Sequence, residues 1–300
     1  MPYIPRRPSN ISIRPSKRRP RKKVVIIAIL LGLLALGIWF VLSDKAVAPD
    51  PSAQLIQELE GPQPLTTGEP TPEPTDLQPV IDSWIAKQSA TYSIVVYDAR
   101  ANKVIGSTQP DKVFFAASLY KIYVAYLALL DFQTGAQDPN EIITGGFSRK
   151  ICVDKMIRES HSPCGEAMMA DMGQKTLEAR VKSMGINHTT FAGIQTSAHD
   201  SALILQYILD KRDLNSENTA FLRDAMLTQD AKYKRGLATG APDAKWETKV
   251  GWNETYNYHD IGIMTMPDKR EYIVAILSQG NGSSVPIANF AKTIYSALSQ

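Results

Sequence analysis

The sequence predicts an α+β fold: a five-stranded antiparallel sheet flanked by helices plus an all-α subdomain, preceded by one transmembrane helix. Three observations carry that reading. Short β-branched and aromatic runs lie at both ends of residues 79–300, and amphipathic helical patterns fill the stretch between them. Upstream, a long apolar run without charge follows a basic tail.

The chain opens on a basic tail, residues 1–23, with nine Lys or Arg and no acidic side chain. Its charge conceals an asymmetry. The chain is +3 overall, yet setting those nine aside leaves 24 basic against 30 acidic residues. Nucleic-acid binding would explain a basic tail alone, but the neighbouring residues 24–42 (VVIIAILLGLLALGIWFVL) contain neither charge nor proline. As a helix this run is about 28 Å long, enough to cross a hydrocarbon core. The flanking cations place the N-terminus in the cytoplasm and the remainder outside. Ala46-Val47-Ala48 resembles a signal-peptidase box, but the apolar run is longer than a usual signal core, so a retained single-span anchor is expected. Residues 43–78 form a linker, with prolines at 49, 51, 62, 64, 70, 72 and 74. Such a composition builds no core, and its extended part reaches up to roughly 90 Å.

The exported domain, 79–300, starts with a short amphipathic helix over Pro79–Ser89. Thr91–Asp98 and Val104-Ile105 follow as a hairpin of strands. A helix runs from Ser118 to about Phe132. Others cover Cys152–Glu159, the residues from Pro163, Asp200–Lys211 and Ser216–Leu227. Strands return at Lys245–Val250, Asp260–Met266 and Glu271–Gln279, and Val285–Leu298 closes the chain as a helix. Both ends therefore feed one sheet, while the middle forms the helical subdomain.

Cys152 and Cys164 are the two cysteines, both in the exported part, where a disulfide is permitted. A straight helix over 152–159 would hold their Cα atoms beyond about 7 Å unless the next helix folds back. A zinc site of Cys152, His161 and Cys164 lacks an obvious fourth ligand. The four histidines, 161, 188, 199 and 259, show no metal spacing and read as surface or loop residues. No metal and no cofactor is implied.

The chemistry centres on Ser118-Leu119-Tyr120-Lys121. Ser118 is the only serine in the chain with lysine at i+3. On a helix that spacing brings the hydroxyl and the amine to one face, the arrangement of a nucleophile beside its proton acceptor. A helix start also offers free N–H groups to a developing oxyanion. The bland alternative is an N-cap serine with a surface lysine. A Ser118–His259–Asp260 triad is disfavoured, because adjacent strand residues point to opposite faces.

With Ser160-His161-Ser162 and Lys249-Val250-Gly251-Trp252 downstream, residues 79–300 resemble the penicillin-recognising serine hydrolases, class A β-lactamases and related D,D-peptidases. Those proteins carry S-x-x-K, S-D-N and K-T-G boxes. The resemblance implies a bacterial serine hydrolase of β-lactamase class A type. Ser118 would be its acylated nucleophile, Lys121 the proton acceptor and Ser160 the relay to the leaving nitrogen. It implies an oxyanion hole from the backbone N–H groups of Ser118 and Trp252. Ser162, Lys249, Val250 and Gly251 would contact substrate, a β-lactam or a D-Ala-D-Ala wall peptide. Lys249 is further expected to depress the pKa of Lys121.

Three departures qualify the resemblance. Ser162 replaces an asparagine that would hold substrate and Lys121, and Val250 replaces a hydroxyl residue. Residues 187–199 (NHTTFAGIQTSAH) contain no carboxylate where class A enzymes carry their deacylating glutamate. Glu166 follows the second box on its helix and is not assigned that part. Slow deacylation is therefore expected. The rival reading is a catalytically weak cell-wall-binding or scaffold protein on the same fold. Trp252, Tyr256 and Tyr258 are either core or the rim of a cleft.

Overall fold

The computed structural model describes residues 73–253 and 256–300. The basic tail, the apolar run 24–42 and linker residues 43–72 lie outside the described residues. Among the described residues no helix is long and apolar enough to cross a membrane.

Five antiparallel strands form the sheet: β1 (Thr91–Asp98), β2 (Lys103–Thr108), β7 (Lys245–Asn253), β8 (Asn257–Thr265) and β9 (Glu271–Gln279). Their order is β2-β1-β9-β8-β7, so the two ends of the domain meet where β1 pairs with β9. Side chains alternate between faces along each strand. Ile94, Val96, Val274 and Ile276 enter one core with α1 (Gln78–Ile85) and α9 (Val285–Leu298). Val95, Tyr97, Ile273, Ala275 and Leu277 enter the other, with the helical subdomain. Helices cover both faces, which is why β1 and β9 read as nearly continuous apolar runs rather than as alternating ones.

At the centre of the second core lies α2 (Tyr120–Thr134), whose first ten residues are all buried. A helix apolar all round has to be surrounded by protein. Gly135, at φ +74°, ends it in the left-handed conformation that glycine adopts without cost. Around it pack α3 (Arg149–Arg158), α4 (Ser162–Met172), α5 (Gln174–Ser183), α6 (Ala198–Leu209) and α7 (Ser216–Leu227). Helix α8 (Leu237–Gly240) precedes β7. Two small ladders complete the fold, β3 (Phe114–Phe115) with β6 (Gln195–Thr196) and β4 (Ile142–Thr144) with β5 (Phe147–Ser148).

Three local expectations change, and the permitted disulfide is formed. The segment that carries Ser118 begins as a 3-10 turn, Ala117–Leu119, and becomes α-helical only at Tyr120. Helix α5 and both small ladders have too few periodic residues to register in the sequence. Cys152 and Cys164 are disulfide-bonded with Cα atoms 4.9 Å apart, because α4 folds back along α3. Finally, His259 is not a surface or loop residue but lies fully buried on β8.

Candidate active site

The site is built where α2, the α3–α4 turn and β7 converge. Ser118 sits on the 3-10 turn, and Ala117 before it has φ +46°. Ser160, between α3 and α4, has φ +52°. Left-handed backbone at non-glycine residues is costly and tends to cluster at functional sites. Here one such residue lies on each side of the Lys121 amine.

That amine donates to Ser118 Oγ at 3.0 Å, to the Ser160 carbonyl at 2.7 Å and to Ser162 Oγ at 3.3 Å. Lys249 Nζ donates to Ser160 Oγ at 3.0 Å and to the Val250 carbonyl at 2.8 Å. Ser160 thus lies between the two amines, its carbonyl accepting from Lys121 and its hydroxyl from Lys249. The Ser162 hydroxyl, standing where the resembled family carries an asparagine, accepts a hydrogen bond from Lys121.

Both amines are withdrawn from water, at 1% and 0% exposure. Burial lowers Lys121 to about 8, while the Glu166 carboxylate on α4 pulls the other way. Burial also drives Lys249 well below its ordinary value, with repulsion from Lys121 adding and Asp260 opposing. This reverses the expected direction of influence. Lys121 repels the charge on Lys249 and helps to lower it, whereas Lys121 itself answers to burial and to Glu166. Dry surroundings, not a neighbouring cation, lower Lys121.

Glycines set the spacing. A Cβ on Gly165 would stand 2.7 Å from Lys121 Cε and from Tyr120 Oη, so α4 approaches the amine only without a side chain there. A Cβ on Gly251 would lie 2.5 Å from the Ala116 carbonyl, so the same rule presses β7 against the Ser118 turn. This approach carries the backbone of Trp252, whose own ring is half exposed and donates to the Gly282 carbonyl at 3.3 Å.

His259 braces the same contact. Its Nδ1 accepts from the Ser278 N–H at 3.0 Å, which leaves the proton on Nε2 to donate to the Phe115 carbonyl at 2.8 Å. Burial lowers its pKa to about 4, so it stays neutral. Asp260 turns to the opposite face, accepts from the Leu237 N–H at 2.8 Å and is pushed by burial up to about 8. No relay joins the pair to Ser118.

The segment 187–199 pairs with the chain entering the Ser118 turn through β3–β6 and an Ala116 N–H bond of 2.7 Å to the Ile194 carbonyl. The carboxylate next in sequence, Asp200, is occupied. It accepts from the His188 N–H and the Thr189 hydroxyl, each at 2.7 Å, and from the Asn187 N–H at 3.2 Å. Beside β7, a cavity of about 210 Å³ is lined by Lys232, Tyr233, Arg235, Val250, Trp252 and Tyr258, and Lys249 Nζ lies 6.0 Å from the Tyr233 ring centroid. Of the aromatic cluster, Tyr258 is core, while Trp252 and Tyr256 are exposed. Gly165, the His259 brace and the Lys232–Arg235 cavity escape sequence reading, because each acts across contacts distant in the chain. The left-handed residues leave no sequence signal.

A family model described as "Beta-lactamase enzyme family" matches residues 76–298. Similar solved structures include an ancestral class A β-lactamase assigned to the last common ancestor of Gram-negative bacteria. It is 16% identical over 74% of this chain and 99% of that one, with TM-score 0.68. PBP-A is 18% identical over 75% of this chain and 96% of that one, also at TM-score 0.68. A PBP-A mutant solved as an acyl-enzyme complex with penicillin G matches equally well, at 18% identity, TM-score 0.68, and 75% and 99% coverage. Among curated proteins none matches. At these identities the structural likeness establishes the fold.

Proposed function

The chain belongs to the beta-lactamase enzyme family, and from that premise we propose that it is a membrane-anchored serine hydrolase working through a Ser118 acyl-enzyme. Its substrates are β-lactams or D-Ala-D-Ala wall peptides. The observation that carries this reading is the 3.0 Å bond between Lys121 and Ser118, made by an amine held near pKa 8. About one such amine in ten is neutral at pH 7 and able to accept a proton. Ser118 Oγ attacks the amide carbonyl while Lys121 takes its proton. The oxyanion turns towards the backbone N–H groups of Ser118 and Trp252. Collapse breaks the C–N bond, and Ser160 hands its hydroxyl proton to the nitrogen and regains one from the Lys249 ammonium 3.0 Å from its Oγ. Water then has to release the acyl group.

That last step is the weak one. The segment beside Ser118 has no carboxylate, Asp200 is committed to backbone and Thr189, and Glu166 is exposed on α4. Deacylation is therefore slow. Val250 removes a hydroxyl donor for the substrate carboxylate, and the cationic side chains Lys232 and Arg235 supply attraction instead. Burial disfavours the charged form of Lys249, and an arriving anion favours it. We place the catalytic domain outside the cell, tethered by residues 24–42 through the linker 43–78. The Cys152–Cys164 disulfide supports an oxidising compartment.

Intact mass of the full chain over time with a penicillin, beside Ser118→Ala, tests the reading. A stable adduct absent from the variant is expected. An adduct that turns over rapidly removes the slow-deacylation part. No adduct over hours leaves the wall-binding scaffold.

A further inference from the structure

Two imidazoles and a carboxylate, far apart in the chain, meet beside the segment 187–199. The possible ligand atoms of Asp111, His188 and His199 lie within 4.8 Å of one another. Asp111 Oδ1 is 2.8 Å from His199 Nδ1 and 3.7 Å from His188 Nδ1. His188 Nδ1 is in turn 3.5 Å from Asp200 Oδ1. Ligand atoms about 2.0–2.1 Å from a tetrahedral zinc stand about 3.3 Å from each other, and the three separations straddle that edge length.

A second observation points the same way. His188 Nδ1 is shut off from solvent yet makes no hydrogen bond, although it faces two carboxylates. A buried ring nitrogen without a partner is uncommon and costly. Each other strong donor is engaged: His161 caps α4, His259 braces β8, and both cysteines share the disulfide.

We propose that Asp111, His188 and His199 bind one zinc ion through Oδ1 and the two Nδ1 atoms, with Asp200 Oδ1 or water as fourth ligand. Imidazole and carboxylate donors suit zinc, and the supports are already built. The Asp200 carboxylate is oriented by the Asn187 and His188 N–H groups, and the His199 N–H donates to the Pro110 carbonyl at 2.9 Å. The ion would clamp the loop before α6 to the turn after β2, whose chain continues through β3 to Ser118. The site is structural, and it stands independently of the hydrolase reading.

Titration calorimetry and thermal melting of the full chain test this, with protein purified without a polyhistidine tag and stripped with EDTA. One zinc ion per chain is expected, raising the melting temperature by about 5 °C or more at hundredfold excess over Kd. His188→Ala and His199→Gln should each weaken binding by at least roughly 100-fold, while His161→Ala retains it. His199 is exposed, so its variant keeps the test open should His188→Ala fail to fold. The absence of saturable uptake up to millimolar zinc, or uptake indifferent to both variants, overturns the proposal.

Discussion

The α3–α4 hairpin and the segment 187–199 both bear on the turn that carries Ser118, and they are finished in different ways. The hairpin is stapled at Cys152–Cys164 and tied again where Arg149 grips Asp171 at 2.9 and 3.1 Å. From that frame it offers Lys121 a carbonyl and a hydroxyl. The segment is fastened just as deliberately, by the β3–β6 ladder, by Asp200 and by the 2.7 Å contact of Tyr123 Oη with Thr196 Oγ1. What it presents is backbone and hydroxyls. On the proposed reading one wall is equipped to form an acyl-enzyme, while the other holds position and brings no carboxylate of its own. Order at a catalytic centre and chemical equipment are separate properties.

Removing the amine breaks the equipped wall most severely. Lys121→Ala is expected to slow penicillin acylation by about 10³-fold, measured by adduct mass against time. A drop below tenfold would assign proton removal elsewhere. Opening the staple comes next. Replacing Cys152 and Cys164 by serine should lower unfolding stability by about 3 kcal/mol in urea titration, with the closed loop spanning 12 positions. The corresponding strain on acylation should appear as a loss in the Ser160 relay.

The sequence disclosed Ser118, Lys121, Ser160 and Lys249, because box motifs are local and each residue type is chemically marked. It also disclosed the strands and most helices, whose apolar periods are long enough to register. It did not disclose that Gly165 must lack a side chain, or that Lys121 is lowered by burial rather than by Lys249. Both depend on which groups are brought within a few ångströms by distant chain. The disulfide was permitted by spacing and decided by the fold-back of α4.

Gly165→Ala isolates that hidden contact. Its Cβ would stand 2.7 Å from Lys121 Cε, and crowding of this kind costs about 2 kcal/mol. Acylation should fall by tens of fold with the fold retained, checked by adduct rate and circular dichroism together. The gentlest change is Glu166→Gln. Acylation should rise with pH through about 8, as Lys121 sheds its proton. Glu166 favours the charged amine, so removing its charge should move that midpoint to lower pH. A shift upward, or none, would place Glu166 outside the equipped wall. Loss of deacylation in this variant would instead make Glu166 the missing base.

His259 and Asp260, neighbours on β8 that face opposite cores, act on the molecule's tolerance of acid as opposed weights. The histidine titrates at about 4 when folded against an ordinary 6.5, so its contribution to stability is lost as pH falls from 6.5 to 4. The carboxyl titrates at about 8 against an ordinary 3.8, so its contribution is lost as pH rises from 3.8 to 8. Across their shared range the two slopes oppose each other. One dipeptide thereby levels the stability curve through mild acidity and leaves the steeper decline to the alkaline side of pH 6.5.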